Sequence, residues 1–179
     1  MKHAEMIQAV LGAILALTTS GGSAQEIKYN SFDDRTIVSA HSSNWMSGPS
    51  VDFLAMYSGK RPMAPPADVI LLFSISKPAS RFLSCGKFAL LADGKPVRTE
   101  RTMHQDDVGD GYVVETVIAA VPFALAQQLA VAQAVETDIC GNEMTFNADD
   151  VAHLRSVVRA ATPPSSLGSR PRHRHQRTG

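Results

Sequence analysis

Short runs of apolar and β-branched residues, separated by Gly, Pro, Asp and Ser, recur along the chain from residue 36 to residue 121. This pattern is typical of β-strands joined by turns. Five consecutive large apolar residues, 69–73, lie within the run 68–76 and predict a central strand that is buried on both faces. The longest run, 112–121, contains a single charge, Glu115. Further strands are predicted at 36–40, 51–56, 87–92, 95–101, 134–140 and 143–146.

Two dipeptides predict tight hairpin turns. Asp93-Gly94 suits a type I′ turn, whose two central residues need positive φ angles. Gly141-Asn142 suits a two-residue turn of type II′. The segment 105–111, which is rich in Asp and Gly, predicts an acidic loop.

Two helices are predicted late in the chain. Pro122 suits the first turn of a helix that ends near Val131. Asn147 is the expected N-cap of a second helix, which ends before Pro163. The apolar stripe of the second helix consists of Val151, Leu154, Val157 and Val158.

These elements predict the fold class. Antiparallel strands followed by grouped helices are typical of α+β proteins. We expect a mainly antiparallel sheet with two short C-terminal helices packed on one face. The 179 residues, 44% of them hydrophobic, suffice for one domain, which we place at 25–162.

Residues 1–24 have the three parts of a secretory signal peptide. Lys2 supplies the basic start, 9–17 form an apolar run, and Gly22-Ser23-Ala24 precede the expected cleavage point. The apolar run is about half of the ~20 residues that a membrane-spanning helix needs. We therefore expect an exported mature chain, periplasmic or secreted, with no integral membrane span.

Residues 163–179 have the composition of a disordered basic tail. Pro, Gly and Ser are frequent, and almost no apolar side chain is available for burial. The tail is a candidate for binding an anionic surface. Its cationic and titratable side chains are Arg170, Arg172, His173, Arg174, His175 and Arg177. The formal net charge of +0 argues against a dedicated polyanion binder, so no specific nucleic acid partner is expected.

The two cysteines, Cys85 and Cys140, predict a structural disulfide in an exported protein. Two unlinked buried thiols are the alternative. A catalytic cysteine is disfavoured because neither position has a His or a basic cluster nearby in the sequence to lower its pKa.

The motifs of several large enzyme classes are absent from the sequence. It contains no G-x-S-x-G, H-E-x-x-H, P-loop or dinucleotide-binding pattern, and no cofactor is expected. The best acidic constellation is the 104–110 segment, in which His104, Asp106 and Asp110 are weak candidates for metal ligands. A solvated loop explains the same residues, so no metal is expected.

The sequence YVVETVIAAVPFALAQQLAVAQAVETDICGNEMTFNADDVAHLRSVV, residues 112–158, resembles the C-terminal half of small exported bacterial proteins of uncharacterised function. The resemblance lies in the layout: a long strand with an inner Glu, a short helix, a Val-Glu strand, a Gly turn and a final helix. It implies the fold of this region and no activity.

Two functions therefore stay open. The first is a non-enzymatic binding or envelope-associated module whose partner is an unknown protein or an envelope surface. The second is a small metal-dependent hydrolase that uses the 104–110 loop together with His41. The absence of a recognisable catalytic spacing favours the first.

Overall fold

A computed structural model describes residues 25–41, 49–77, 87–109 and 112–164. The predicted signal peptide, most of the basic tail, Cys85 and Asp110 lie outside these ranges. Ten strands and two helices occur within them. The strands are β1 (Glu26–Asn30), β2 (Arg35–Ala40), β3 (Ser50–Ser58), β4 (Asp68–Lys77), β5 (Phe88–Ala92), β6 (Lys95–Pro96), β7 (Arg101–Gly109), β8 (Tyr112–Pro122), β9 (Val135–Ile139) and β10 (Asn142–Thr145). The helices are α1 (Phe123–Leu129) and α2 (Ala148–Ala161).

The strands form two antiparallel sheets. The large sheet has the order β1-β2-β3-β4-β8-β7, and the small sheet has the order β10-β9-β5-β6. The prediction of β4 as a central strand is confirmed, because it pairs with β3 on one side and with β8 on the other.

The main core lies on one face of the large sheet, here called the inner face. Both helices and the small sheet cover this face. Phe73 of β4 packs against Phe88 of β5 with ring centroids 5.5 Å apart, and against Phe146 at 6.0 Å. A second, smaller cluster lies on the opposite, outer face and contains Leu54, Leu72 and Ile118. Successive strand residues point to opposite faces, so β4 contributes Phe73 to the inner cluster and Leu72 to the outer one.

The cap predicted for the second helix is confirmed. Asn147 Oδ1 accepts hydrogen bonds from the backbone N–H groups of Asp149 and Asp150, and Asp150 Oδ2 accepts one from Asn147 N. This reciprocal capping box satisfies three backbone donors at the start of α2. Of the predicted stripe, Leu154, Val157 and Val158 are buried.

The α+β prediction is wrong, because the fold is predominantly β. One reason is that β1 and β7 carry mostly exposed side chains and lie at the edges of the large sheet. β7 has no apolar alternation to reveal it, and β1 shows alternation only at Ile27 and Tyr29, so the conformation of both strands depends on pairing with a neighbour. The second reason is that α1 has only seven residues.

Two predictions between residues 95 and 111 are also wrong. The strand expected at 95–101 divides, because β6 ends at Pro96 and Arg101 already begins β7 in the other sheet. The acidic loop expected at 105–111 is strand as far as Gly109, and it pairs with β8. The pairing fixes these polar residues in an extended conformation that their own propensity does not favour.

The two hairpin turns differ in outcome. Asp93 and Gly94 have φ angles of 49° and 73°, which confirms the type I′ turn. In the second hairpin the positive angles belong to Cys140 (59°) and Gly141 (81°), so the turn lies one residue earlier than predicted and is type I′ rather than II′. Asp138 Oδ1 accepts a 2.6 Å hydrogen bond from Gly141 N, which favours this register.

Candidate functional site

The first histidine–carboxylate pair lies on the outer face, where β2 ends. His41 follows β2 directly, and its Nδ1 lies 3.5 Å from Oδ2 of Asp52 in β3. The preceding Ala40 belongs to the inner cluster, so alternation turns His41 outward. The hydrogen bond with Asp52 and the charge of that carboxylate raise the pKa of His41, although burial opposes this. Among the described residues, none forms a hydrogen bond with the buried Nε2 atom.

The outer face beside this pair has one apolar and one polar row of side chains. The strand register continues the row of Asp52 through Leu72, Ile118 and Met103. The adjacent row consists of Ser50, Ser74, Thr116 and Gln105, and the hydroxyl oxygens of Ser74 and Thr116 are 3.1 Å apart. The arrangement offers hydrogen-bonding groups next to an apolar strip.

The second histidine–carboxylate pair lies on the inner face, between β7 and β8. His104 Nε2 lies 3.8 Å from Oε1 of Glu115, whose side chain is only 1% exposed. The register places Asp106 directly opposite Glu115, which brings two carboxylates to the same face of neighbouring strands.

The hydrolase hypothesis requires His41 and His104 to lie close together, and the structure places them apart. The two side chains lie on opposite faces of the large sheet. They are also separated by β3, β4 and β8, which amounts to roughly 19 Å at about 4.8 Å per strand spacing.

The predicted metal-binding segment is an edge strand rather than a loop. His104 and Asp106 share the inner face of β7, whereas Asp110 lies outside the described residues. Within the part of the chain that the structure describes, no group of three His, Cys, Asp or Glu side chains is placed to hold a metal ion.

Cys140 occupies the first position of the β9–β10 turn. Its backbone N–H donates a 3.1 Å hydrogen bond to the carbonyl of Lys87, the residue before β5. Cys85 itself lies outside the described residues, so its pairing with Cys140 stays a prediction, and no free cysteine is found in the described part.

Sequence reasoning missed an exposed apolar feature at one end of the large sheet. The β1–β2 turn holds Phe32, which is 100% exposed, and the β3–β4 connection holds Met63, which is 88% exposed. Both connections lie at the same end because Arg35 pairs with Ser58. We call the turn 31–34 and the connection 59–67 together the apolar tip. A large apolar residue between Ser31 and two aspartates was the signal that could have revealed it.

Comparisons with known proteins give no family. No family model, no curated protein and no solved structure shows a significant match to this chain. Among the described residues, no helix combines the length and the apolar composition needed to cross a membrane.

Proposed function

We propose that this chain is an exported, non-enzymatic binding module, and that it binds its partner through the apolar tip. The observation that carries the proposal is the complete exposure of Phe32 together with the 88% exposure of Met63 on the neighbouring connection. Large aromatic side chains supply much of the energy of protein interfaces when a partner buries them. An exposed aromatic side chain and an exposed methionine at the same end of one sheet favour a surface that another molecule covers.

Hydrogen bonds hold the turn 31–34 of the apolar tip and join it to the start of the 59–67 connection. Phe32 N donates to Asn30 Oδ1 at 3.0 Å, and Tyr29 Oη donates to Asp34 Oδ1 at 2.9 Å. The two connections are joined by a 2.7 Å hydrogen bond from Gly59 N to the carbonyl of Asp34. A surface that is ordered before binding loses little conformational entropy on association, which favours affinity.

The two segments of the apolar tip also carry charges of both signs. Asp33 adjoins Phe32, and Lys60 lies with its Nζ 5.3 Å from the centroid of the Tyr29 ring. Arg61 follows Lys60 in the same connection. Mixed charge around an apolar centre suits a partner protein with an apolar pocket and a polar rim. The sequence of residues 1–24 supports placing this partner in the envelope or outside the cell.

Site-specific photocrosslinking in the native host tests the proposal. A benzophenone analogue of phenylalanine at position 32 should form one dominant crosslinked species of defined mass, and the same analogue at Val131 should not. Val131 is a matched control because it is 74% exposed and lies in the connection after α1. Met63→Ser should reduce the yield from position 32, since it removes the second exposed apolar side chain of the apolar tip. Equal crosslinking yields at positions 32 and 131 would contradict the apolar tip as the binding surface.

Export is tested separately by the intact mass of the chain recovered from the envelope and secreted fractions. An intact mass that corresponds to a chain starting at or near Gln25 supports signal-peptide cleavage. A chain in these fractions that still carries Met1 contradicts it. This result does not depend on the apolar tip.

A further inference from the structure

In the described part of the chain, β7 is the last strand of the large sheet, after β8. It has nine residues, in contrast with five in β1 at the opposite edge. Most of its side chains are exposed: Arg101, Thr102, Gln105, Asp106, Asp107 and Val108. Among the described strands, none pairs with the edge of β7 that faces away from β8, and an edge of this kind can accept another strand.

We propose that β7 pairs in antiparallel orientation with β7 of a second copy of this chain, with His104 at the two-fold axis. The pairing would continue the large sheet of one copy into that of the other. This interface is separate from the apolar tip and does not depend on the proposed function.

Backbone geometry limits the possible registers of such a pair. Only alternate residues of an edge strand direct their N–H and C=O groups outward, so an outward residue must face an outward residue of the other copy. In two identical antiparallel strands this condition holds only when the two-fold axis runs midway between one residue and the same residue of the other copy. The candidates are therefore registers centred on single residues near the middle of β7.

Charge selects among these registers. Centring on His104 places Arg101 opposite Asp107 of the partner subunit, and Asp107 opposite Arg101 of the partner subunit. These two ion pairs lie on the outer face, because Arg101 and Asp107 share that face with Met103. Centring on Asp106 would instead place two Asp106 carboxylates against each other. Centring on Met103 would set Glu100 against Asp106. Centring on Gln105 would set His104 against Asp106 but leave Arg101 opposite Gly109 and Asp107 opposite Met103, so neither of the two charges would meet an opposite charge.

The self-complementarity explains why a second copy is the proposed occupant. Charged side chains on an edge strand normally prevent pairing, since an arbitrary strand leaves them opposite unsuitable groups. Here the sequence RTMHQDD supplies opposite charges three residues on either side of His104. Opposite charges facing each other on neighbouring strands stabilise pairing, and like charges oppose it.

Sedimentation velocity of the full chain at neutral pH and low ionic strength tests the proposal. The unmodified chain should form dimers at concentrations of about 100 μM or below, as expected for a small interface. Arg101→Asp and Asp107→Arg should each weaken the dimer by about tenfold or more, because each variant sets like charges together at two places. The double variant, which exchanges the two charges, should restore dimerisation.

Lys28→Asp provides the matched control. It reverses an exposed charge on β1, at the other edge of the same sheet, and should leave the dimer unchanged. Circular dichroism establishes that each variant is folded before it is compared. A monomeric unmodified chain at about 100 μM overturns the proposal. The proposal is also overturned if neither Arg101→Asp nor Asp107→Arg weakens the dimer, or if the double variant fails to dimerise. A Lys28→Asp variant that weakens the dimer as much as these two single variants would overturn it as well.

Discussion

His41 Nδ1 lies 3.5 Å from Asp52 Oδ2 at the end of β2, and this contact holds the pKa of His41 above its ordinary value. In the unfolded chain the pKa of a histidine is about 6.5. The contact therefore stabilises the fold fully below about pH 6.5, and this contribution is lost as the pH rises through the higher pKa of the folded state.

We expect the urea midpoint to decrease as the pH rises above about 6.5. His41→Gln should remove this part of the pH dependence, because glutamine does not titrate. His153→Gln should retain it, since His153 lies on α2 and forms no contact with Asp52 among those observed. An unchanged pH profile in His41→Gln would show that the pair with Asp52 does not control it.

Glu115 should be important for stability, because it is 1% exposed and lies beside His104. Glu115→Ala removes a buried side chain from its contact with His104 and leaves a cavity, so we expect a loss of about 3 kcal/mol in the free energy of unfolding. Glu143→Ala is the control, since Glu143 is exposed on β10 and its loss should cost no more than about 0.5 kcal/mol. Urea denaturation measures both. Equal effects of the two substitutions would contradict a structural role for the buried pair.

The predicted Cys85–Cys140 disulfide should be detectable as two cysteines that remain unreactive in the denatured, unreduced chain. The cysteines are 55 positions apart, and closing a loop of this length corresponds to about 4 kcal/mol in the chain-entropy model. Reduction should lower the denaturation midpoint accordingly. Two titratable thiols in the unreduced chain would exclude the bond.

The capping box of α2 should contribute to stability. Asn147→Ala removes the side-chain acceptor of two backbone N–H groups, so we expect a loss of about 1 kcal/mol. Gln127→Ala on the exposed side of α1 is the control and should change the stability by less than about 0.5 kcal/mol. Urea denaturation measures the free energy of unfolding of both variants. If Asn147→Ala leaves it unchanged, water replaces the hydrogen bonds of the cap without loss of stability.

The basic tail should bind anionic vesicles in a salt-dependent way. Screening shortens from about 10 Å at 0.1 M to about 3 Å at 1 M salt, so high salt should abolish co-sedimentation. Binding should also strengthen toward pH 5, as His173 and His175 become protonated. A chain that ends at residue 162 should not bind, and neutral vesicles should retain neither form. Equal sedimentation of both forms with anionic vesicles would show that the tail is only a solvated terminus.

Local sequence signals determined several elements of this protein. Asn147 with Asp150, Asp93-Gly94 and the apolar run 69–73 specify a helix cap, a turn and a central strand, and the structure confirms all three. In each case the residues that carry the signal also make the decisive interaction, or occupy the required backbone conformation. Tertiary context adds little to these choices.

Only the tertiary structure decided the fold class and the sides on which the polar residues lie. The polar sequence from Arg101 to Gly109 becomes a strand because β8 supplies its hydrogen-bonding partner. Alternation along the paired strands then places His104 on the inner face, and the residue that follows Ala40 turns outward. The sequence shows that two histidines and several carboxylates are present, but not which of them lie side by side. Strand pairing determines which of them meet, because register and face depend on a neighbour that is distant in the chain.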